Sequence, residues 1–283
     1  MPAKRIAFLV PLLALLLAPF AGAGNILVVS DSDPPGSGGD HRDDPLVDFL
    51  EGLGHTVDTS GMDEAYRENH DPFDDPAKVA ALKAADLIIV SRRTSSGSYD
   101  NDRKDWNAVN RPILLMSGYL TRGGGDKRWG WTDDGSKDAN KSETDMLIPA
   151  GQEGHRFFTG LSGPLGLFDW SPGSQAPKGV YLPRETDDLH VEAILLGTFD
   201  GLPFLFDLPA GTDLGSTYGT LGARRVFMGH WGYDAGGHDF ASFITPDYER
   251  LLENVVTYTM VPEPATLALL GVGALALRRR RRR

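Results

Sequence analysis

Two neighbouring stretches decide the fold: ADLIIVSRRTSSGSYD at residues 85–100 and RPILLMSGYLTR at residues 111–122. Each contains a short aliphatic run, Asp86 to Ser91 and Arg111 to Ser117, that ends in serine and leads into polar residues. Uninterrupted apolar runs of this length are typical of parallel strands buried on both faces. The Trp-containing segment between them, about Asn101 to Val109, predicts the crossover helix of a β-α-β unit.

The same alternation occurs upstream. A strand is predicted at Asn25 to Ser30, and a helix opens at Asp44 and Pro45, with Asp44 as its N-cap. A strand at His55 to Thr59 follows, and then a helix from Asp75 to Ala84. This order predicts an α/β protein with a doubly wound, mainly parallel sheet, flavodoxin-like, in a three-layer sandwich.

The downstream half has a weaker pattern. Residues 119–175 are rich in Gly, Asp, Lys and Trp, and are expected to form a surface excursion with one short helix. Further strands are predicted at Val180–Leu182, His190–Thr198, Leu202–Leu208 and Arg225–His230, and a final helix is capped by Thr245 and Pro246. The second and third of these strands are expected to form a hairpin through Asp200 and Gly201. No internal repeat and no long linker divides this region.

The N-terminus has the pattern of an export signal. Lys4 and Arg5 precede an apolar run from Ile6 to Phe20, and Ala21-Gly22-Ala23 supplies small residues for cleavage after Ala23. The predicted organisation is therefore a signal peptide at 1–23, an α/β domain at 24–260 and a tail at 261–283.

The tail reads VPEPATLALLGVGALALRRRRRR. Its apolar run, Ala265 to Leu277, gives roughly 20 Å of helix, a short transmembrane segment that flanking residues can extend by snorkelling. The arginines should stay cytoplasmic. The tail resembles the PEP-CTERM sorting signal of exopolysaccharide-producing Gram-negative bacteria, and the residues that carry the resemblance are Pro262, Glu263, Pro264, Arg278, Arg279 and Arg280.

That resemblance implies recognition by an exosortase and passage through the export machinery. The chain would be anchored transiently in the inner membrane, and then delivered to the cell surface or extracellular matrix, where exopolysaccharide is a partner to consider. Loss of Lys4 and Arg5 with the leader, and of Glu263 and six arginines with the tail, would change the net charge from −11 to −18. So acidic a domain repels nucleic acid, which argues against nucleic-acid binding.

The run from Ala85 to Trp131, with HRFFTGL at 155–161, resembles the class I glutamine amidotransferase-like fold and its trehalose-utilisation (ThuA-type) relatives. In amidotransferases the nucleophilic cysteine follows the strand equivalent to Arg111–Ser117. This chain has no cysteine, so a cysteine-based glutaminase is excluded. Enzyme activity in general stays open, although the missing nucleophile argues against it.

Ligands of parallel sheets bind beyond the carboxyl ends of the strands. Two sets of residues there could support catalysis: Ser117 with His230 as nucleophile and base, or Asp31 and Asp33 holding a divalent cation. Turn formation is the competing explanation for Ser117, Asp31 and Asp33. The cluster Asp40, His41, Asp43 and Asp44 is interpreted as helix-start chemistry, and His238 as a weak metal candidate.

Arginines and aromatic residues crowd the loops after the same strands, and their side chains suit sugars or anionic glycans. The predicted ligand-binding residues are Arg92, Tyr99, Tyr119, Arg122, Trp129 and Trp131. Alternatively, the two tryptophans pin the long excursion onto the sheet. The sequence therefore predicts an exported surface or matrix protein with a non-catalytic binding domain, for which carbohydrate is the candidate ligand. The alternative is a hydrolase or carbohydrate-modifying enzyme.

Overall fold

The computed structural model describes residues 23–37, 39, 41–123, 128–133, 135–138, 143–169, 180–230 and 239–261. Residues Ala23–Met260 form one compact unit, and all that follows concerns this unit. Residues 1–22 of the predicted leader, the sorting residues of the tail, Asp40 and His238 lie outside the described residues.

The elements of this unit follow one another in an α/β order. The strands are β1 (Asn25–Val29), β2 (Thr56–Gly61), β3 (Leu87–Val90), β4 (Ile113–Leu115), β5 (Ser136–Asp138), β6 (Asp145–Leu147), β7 (Leu165–Gly166), β8 (Tyr181–Pro183), β9 (Ile194–Phe199), β10 (Leu202–Leu208) and β11 (Arg225–Met228). The helices are α1 (Asp44–Gly52), α2 (Pro76–Ala84), α3 (Arg103–Ala108) and α4 (Pro246–Thr259).

Within the described residues, nine strands form one mixed sheet in the order β2-β1-β3-β4-β11-β10-β9-β6-β7. The pairs from β2 to β11 are parallel, and those from β11 to β7 are antiparallel. The predicted α/β class is confirmed, with a parallel arrangement in one half of the sheet. In that half the register aligns Leu27 with Ile88, and Ile88 with Ile113.

The antiparallel half contains strands from the segment expected to be irregular. Strands β6 and β7 extend the main sheet beyond β9, while β5 and β8 pair separately. Strands of two or three residues carry no periodic pattern. β6 forms by pairing with the edge of β9, and β7 by pairing with β6. The predicted hairpin of β9 and β10 is present, and Asp200 and Gly201 at its turn both have positive φ.

Two of the predicted helix caps form. Asp75 accepts from the Ala77 amide at 2.8 Å, and Thr245 accepts from the Tyr248 amide at 3.3 Å. At α1 the prediction is wrong by one residue: the N-cap is Asp43, and its side chain makes no capping hydrogen bond. That carboxylate points instead to the ends of two strands.

The parallel strands β1, β3, β4 and β11 are buried on both faces, as their sequences predict, whereas β2 at the edge of the sheet is partly exposed. The four residues from Ile26 to Val29 and the four of β3 have no exposed surface. The inner face of α4, including Leu251 and Val255, covers one side of the sheet. Burial of both faces leaves the strand ends as the places where polar side chains accumulate. In the described part of the chain, no helix has the length and apolar character needed to cross a membrane.

Candidate functional site

The carboxyl edge, where β1, β3, β4 and β11 end, collects buried polar side chains. The Ser30 hydroxyl, after β1, donates to Asp43 Oδ2 at 2.6 Å, and the Ser91 hydroxyl, after β3, donates to the same oxygen. All three residues have no exposed surface. The Asp43 carboxylate therefore joins the start of α1 to the ends of two strands.

Two oxygens in this cluster have no hydrogen-bond partner among the described residues. They are Asp43 Oδ1 and Ser32 Oγ, both on fully buried residues. Ser32 lies two residues beyond β1, and its amide donates to the Ser30 hydroxyl at 2.9 Å. A buried, unpaired carboxylate oxygen is costly, so it indicates a place for a water molecule or a ligand group.

Arg92 and Arg93 follow β3 directly and are also buried, at 3% and 5% exposure. Burial lowers the pKa of Arg92 to about 10, and the nearby Asp43 carboxylate opposes that fall. Arg92 remains a cation at neutral pH. The predicted ligand residue Arg92 thus lies below the surface, where its charge balances Asp43.

Asp31 is held by the protein's own donors. Arg67 binds both of its oxygens, at 3.1 and 2.9 Å, and the Tyr99 hydroxyl and the Ser95 amide donate to them at 3.0 and 2.7 Å. Asp33 is half-buried and packs against Gly39. Among the described residues no group of three or more His, Asp or Glu is arranged to hold a metal ion. The Asp31 carboxylate is placed to order the loops after β1, β2 and β3.

Backbone strain marks the loop after β2. Asp63 and Glu64 both have left-handed backbone conformations, with φ of 56° and 61°. Their amides donate to the carbonyls of Ser32 and Ser30 at 2.7 and 3.2 Å. Strained residues of this kind persist where surrounding contacts hold them, and they are common at functional sites.

Ser117 and His230 are both buried at the same edge, at 4% and 1% exposure. In the described part of the chain, no hydrogen bond joins the Ser117 hydroxyl to a histidine. The His230 ring packs among Phe240, Tyr248 and Phe168, with ring centroids 4.4, 5.2 and 6.3 Å away. A serine nucleophile requires a base within hydrogen-bonding distance, and this pair does not provide it.

The predicted aromatic ligand residues belong to the core. Trp129, Trp131 and Tyr99 have no exposed surface. Trp129 stacks on Trp106 with centroids 5.1 Å apart, and its indole N–H donates to the Tyr99 carbonyl at 3.0 Å. Buried ring faces cannot stack on a sugar, so their assignment to a sugar-binding surface is corrected. Their burial favours the alternative, in which the tryptophans attach the excursion to the sheet, because burying them removes a large apolar surface from water.

Asn107 fixes the position of this aromatic layer. Its side-chain amide donates to the carbonyls of Trp129 and Tyr218 at 2.8 and 3.0 Å, and its oxygen accepts from the Trp131 indole at 3.0 Å. Asn107 lies on α3 and is fully buried. A single polar side chain thereby holds two loops against the helix.

Tyr119 and Arg122 remain at the surface of the carboxyl edge, both half-buried. The Arg122 guanidinium lies 5.0 Å from the centre of the Tyr119 ring, and its Nε donates to the Tyr119 carbonyl at 2.9 Å. A terminal nitrogen of Arg122 contacts the Ser96 hydroxyl at 3.4 Å. Tyr119, Arg122 and Ser96 are called the rim here.

Three residues of this edge were not assigned to it from the sequence. Asp43 was interpreted as helix-start chemistry, and Ser30 and Arg67 were not singled out. An aspartate immediately before an Asp-Pro helix start is a weak signal, since a single residue decides which carboxylate caps the helix. Arg67 carried no signal, because its role depends on a contact with Asp31 that is distant in sequence.

Comparison with known proteins identifies the tail of the chain. Residues 261–283 match the PEP-CTERM protein-sorting motif. The chain is therefore exported and reaches the cell surface or extracellular space through an exosortase, with membrane anchoring before processing. No curated protein matches the chain in sequence.

Among solved structures, the chain is similar to a cytoplasmic protein of Salmonella typhimurium LT2, STM1381, with a TM-score of 0.52 and 14% identity. That similarity covers 84% of this chain and all of the other. A second cytoplasmic protein of Salmonella typhimurium, STM3548, has a TM-score of 0.48 and 13% identity, over 82% of this chain and 98% of its own. Similarity at this level concerns the fold alone.

Proposed function

We propose that the processed chain is a non-catalytic surface protein that binds carbohydrate at the carboxyl edge of its sheet. Its domain would be a doubly wound, amidotransferase-like fold that lacks the catalytic cysteine. The observation that carries the proposal is the half-buried pairing of Arg122 with Tyr119 beside the Ser96 hydroxyl. Aromatic rings and forked guanidinium donors are the groups that bind sugar faces and hydroxyls.

The buried cluster beneath supports the same edge. The loop after β3 carries Ser91, which binds Asp43, and also Ser96, which contacts Arg122. Asp43 Oδ1 and Ser32 Oγ offer acceptor capacity in this cluster. Ligand sites in parallel sheets form beyond the carboxyl ends of the strands, so the rim stands where the topology favours binding.

The negative charge of the domain favours neutral glycans over acidic ones. With the leader and tail removed at the predicted positions, the domain carries a net charge of −18. Such a charge repels strongly anionic polymers at low ionic strength. A neutral polysaccharide is therefore the preferred ligand, bound by stacking and hydrogen bonds, and an acidic polysaccharide would bind only at higher salt.

The test measures binding of the exported, processed protein to a neutral glucan and to alginate, at low and high salt. Arg122→Gln should weaken glucan binding by about tenfold, the effect of losing roughly 1.4 kcal/mol of contact energy. Arg156→Gln is the matched control, because Arg156 lies over Tyr258 with a separation of 5.8 Å, in a second arginine–tyrosine pair.

Equal binding by wild type and Arg122→Gln would contradict the rim as the binding surface. No binding of either polymer, combined with turnover of a small ester or glycoside that His230→Ala abolishes, would replace the proposal with the hydrolase alternative.

A further inference from the structure

The start of the folded domain coincides with the predicted cleavage position. Ala23 is exposed, whereas Gly24 is partly buried and bound on both sides of its Cα. The Gly24 amide donates to His55 Nδ1 at 3.1 Å, and its carbonyl accepts from the Thr56 amide at 3.0 Å. The nitrogen that cleavage after Ala23 would release is therefore already placed against a side chain.

A carboxylate lies next to the same nitrogen. Asp86 Oδ2 accepts from the Asn25 amide at 2.9 Å, and a side-chain carbon placed on Gly24 would lie 3.5 Å from it. With standard covalent geometry, these contacts put the Gly24 nitrogen within roughly 6 Å of the carboxylate, close enough for opposite charges to stabilise each other. Asp86 is held in place by its own amide, which donates to the Asn25 carbonyl at 2.8 Å.

Met260, at the end of α4, is the third residue that contacts Gly24. A side-chain carbon on Gly24 would lie 2.7 Å from Met260 Sδ, closer than such contacts allow. Only glycine fits there without displacement of the methionine. His55 Nδ1, Asp86 Oδ2 and Met260 Sδ thus surround the Gly24 nitrogen and Cα, and are called the amino-terminal seat here.

We propose that signal peptidase cleaves after Ala23 and that the amino-terminal seat then binds the released α-ammonium group of Gly24. The peptide bond between Ala23 and Gly24 is hydrolysed by one water molecule. The carboxylate leaves on Ala23, and the amine stays on Gly24 and takes up a proton at neutral pH. Cleavage converts the Gly24 nitrogen from a neutral amide into a cation beside the Asp86 carboxylate. Processing would therefore add an ion pair to the folded domain.

The surrounding charges favour this exchange. Burial lowers the pKa of His55, which keeps its ring neutral and Nδ1 able to accept. Asp86 favours the charged form of the amine, whose ordinary pKa is about 8. The nearby turn also carries a cation, because Arg111 donates to the Lys83 carbonyl at 2.9 Å through Nε, and this cation acts in the opposite direction. Asp86 binds the amide of Asn25, the residue next to Gly24, whereas Arg111 binds the Lys83 carbonyl.

The experiment begins with the full chain, exported with its own leader. Mass spectrometry of the recovered protein should show Gly24 as the first residue. The pKa of the α-amino group, measured by competitive acetylation across pH, should lie above about 8 in the wild type. It should fall in Asp86→Asn and stay unchanged in Glu51→Gln, which removes an exposed carboxylate of α1.

A second measurement does not depend on how Asp86→Asn folds. It uses the wild-type domain with Ala23 as its first residue. In this form the α-ammonium group belongs to Ala23 and lies one residue away from the amino-terminal seat. Its α-amino pKa should be ordinary, and it should unfold at a lower temperature than the Gly24 form. A different first residue in the exported protein would overturn the proposal, and so would equal pKa values in the two forms.

Discussion

The two edges of the parallel half of the sheet bury charged side chains in different ways. At the amino edge, where β1, β3, β4 and β11 begin, Arg225 is fully buried and donates six hydrogen bonds to main-chain carbonyls at 2.7–3.2 Å. Its carbonyl partners include Trp106, Asn107 and Val109 at the end of α3. At the carboxyl edge, Asp43 binds serine side chains, and its second oxygen has no partner in the described part of the chain.

The two edges differ in the groups that their buried charges bind. Carbonyls at the end of a helix carry partial negative charge, so Arg225 stabilises α3 as well as binding it. Nearby, Arg224 binds both oxygens of Asp207, at 3.1 and 2.9 Å. These cations bind groups of the fold itself. At the carboxyl edge, Asp43 Oδ1 and Ser32 Oγ lack partners among the described residues, and they are acceptors that the proposed ligand site would have available.

The amino edge also has an open groove of about 530 Å³, lined by α2 and α3 and including Phe73, Leu82 and Arg111. It lies away from all the residues predicted to bind a ligand. Its lining mixes apolar side chains such as Leu82 with the polar residues Lys83, Asp105 and Arg111. The groove therefore lies at an edge where the sequence predicts no ligand residue.

The largest expected effect tests the supporting role of the amino edge. Arg225→Met should lower the free energy of unfolding by about 4 kcal/mol, because it leaves buried carbonyls without donors. Glucan affinity of the remaining folded protein should not change. Urea unfolding measures the loss. The control is Arg111→Met, which removes an exposed arginine from a single carbonyl and should cost less than about 1 kcal/mol.

Asp43→Ala tests the carboxyl edge. It removes the acceptor of two buried hydroxyls and the negative charge near Arg92, so stability should fall by about 3 kcal/mol. Glucan binding should weaken as well, since the loop that carries Ser96 begins at Ser91. Asp44→Ala, one residue along and partly exposed beside His41, should have little effect on either. Undiminished binding by Asp43→Ala would break the link between the cluster and the rim.

Tyr99→Phe distinguishes a structural aromatic residue from a ligand residue. It deletes one hydrogen bond to Asp31 and should cost about 1 kcal/mol of stability. Glucan affinity should stay unchanged, because the ring is buried. Tyr66→Phe, which deletes a 3.0 Å hydrogen bond to the Lys78 carbonyl, is the matched change away from Asp31. Loss of glucan binding in Tyr99→Phe alone would return Tyr99 to the binding surface.

The smallest expected effect is a pH dependence of stability. Burial lowers the pKa of His55 and of His155 in the folded state. The unfolded chain then binds more protons than the folded one as pH falls below about 6.5, so this stabilisation is present above that pH and is lost below it. Unfolding free energies between pH 7.5 and 5 should show the decline. His155→Gln should reduce it, and an unchanged slope would show that His155 does not titrate differently on folding.

Much of the parallel half could be predicted because its strands are buried on both faces. Continuous apolar runs such as NILVV and LIIV occur for that reason, and Pro76 and Pro246 mark the helix starts. The antiparallel half was only partly predicted. The hairpin of β9 and β10 carries a local turn signal, whereas β6 and β7 depend on pairing with residues far away in the chain.

The candidate site, too, could be predicted only in part from the sequence. Asp31, Arg92, Ser117 and His230 each come shortly after a predicted parallel strand. The strand order therefore predicts that they lie at the carboxyl edge. Burial was not predictable, because tryptophan and arginine occur both on binding surfaces and in cores. Trp129 became a core residue through contacts with Trp106 and Tyr99, which depend on the packing of α3 against the excursion.

The sequence by itself determined the α/β class and the destination of this protein. Both are written in local patterns: apolar periodicity in the strands, and the order of triplet, apolar run and arginines in the tail. The tertiary structure decided which polar residues are available to a ligand. Asp43, Arg92 and Arg225 are all charged residues next to apolar strands or helices in the sequence, and only three-dimensional packing assigns each its partner. Hydrogen bonds between side chains distant along the chain leave no periodic trace in the sequence.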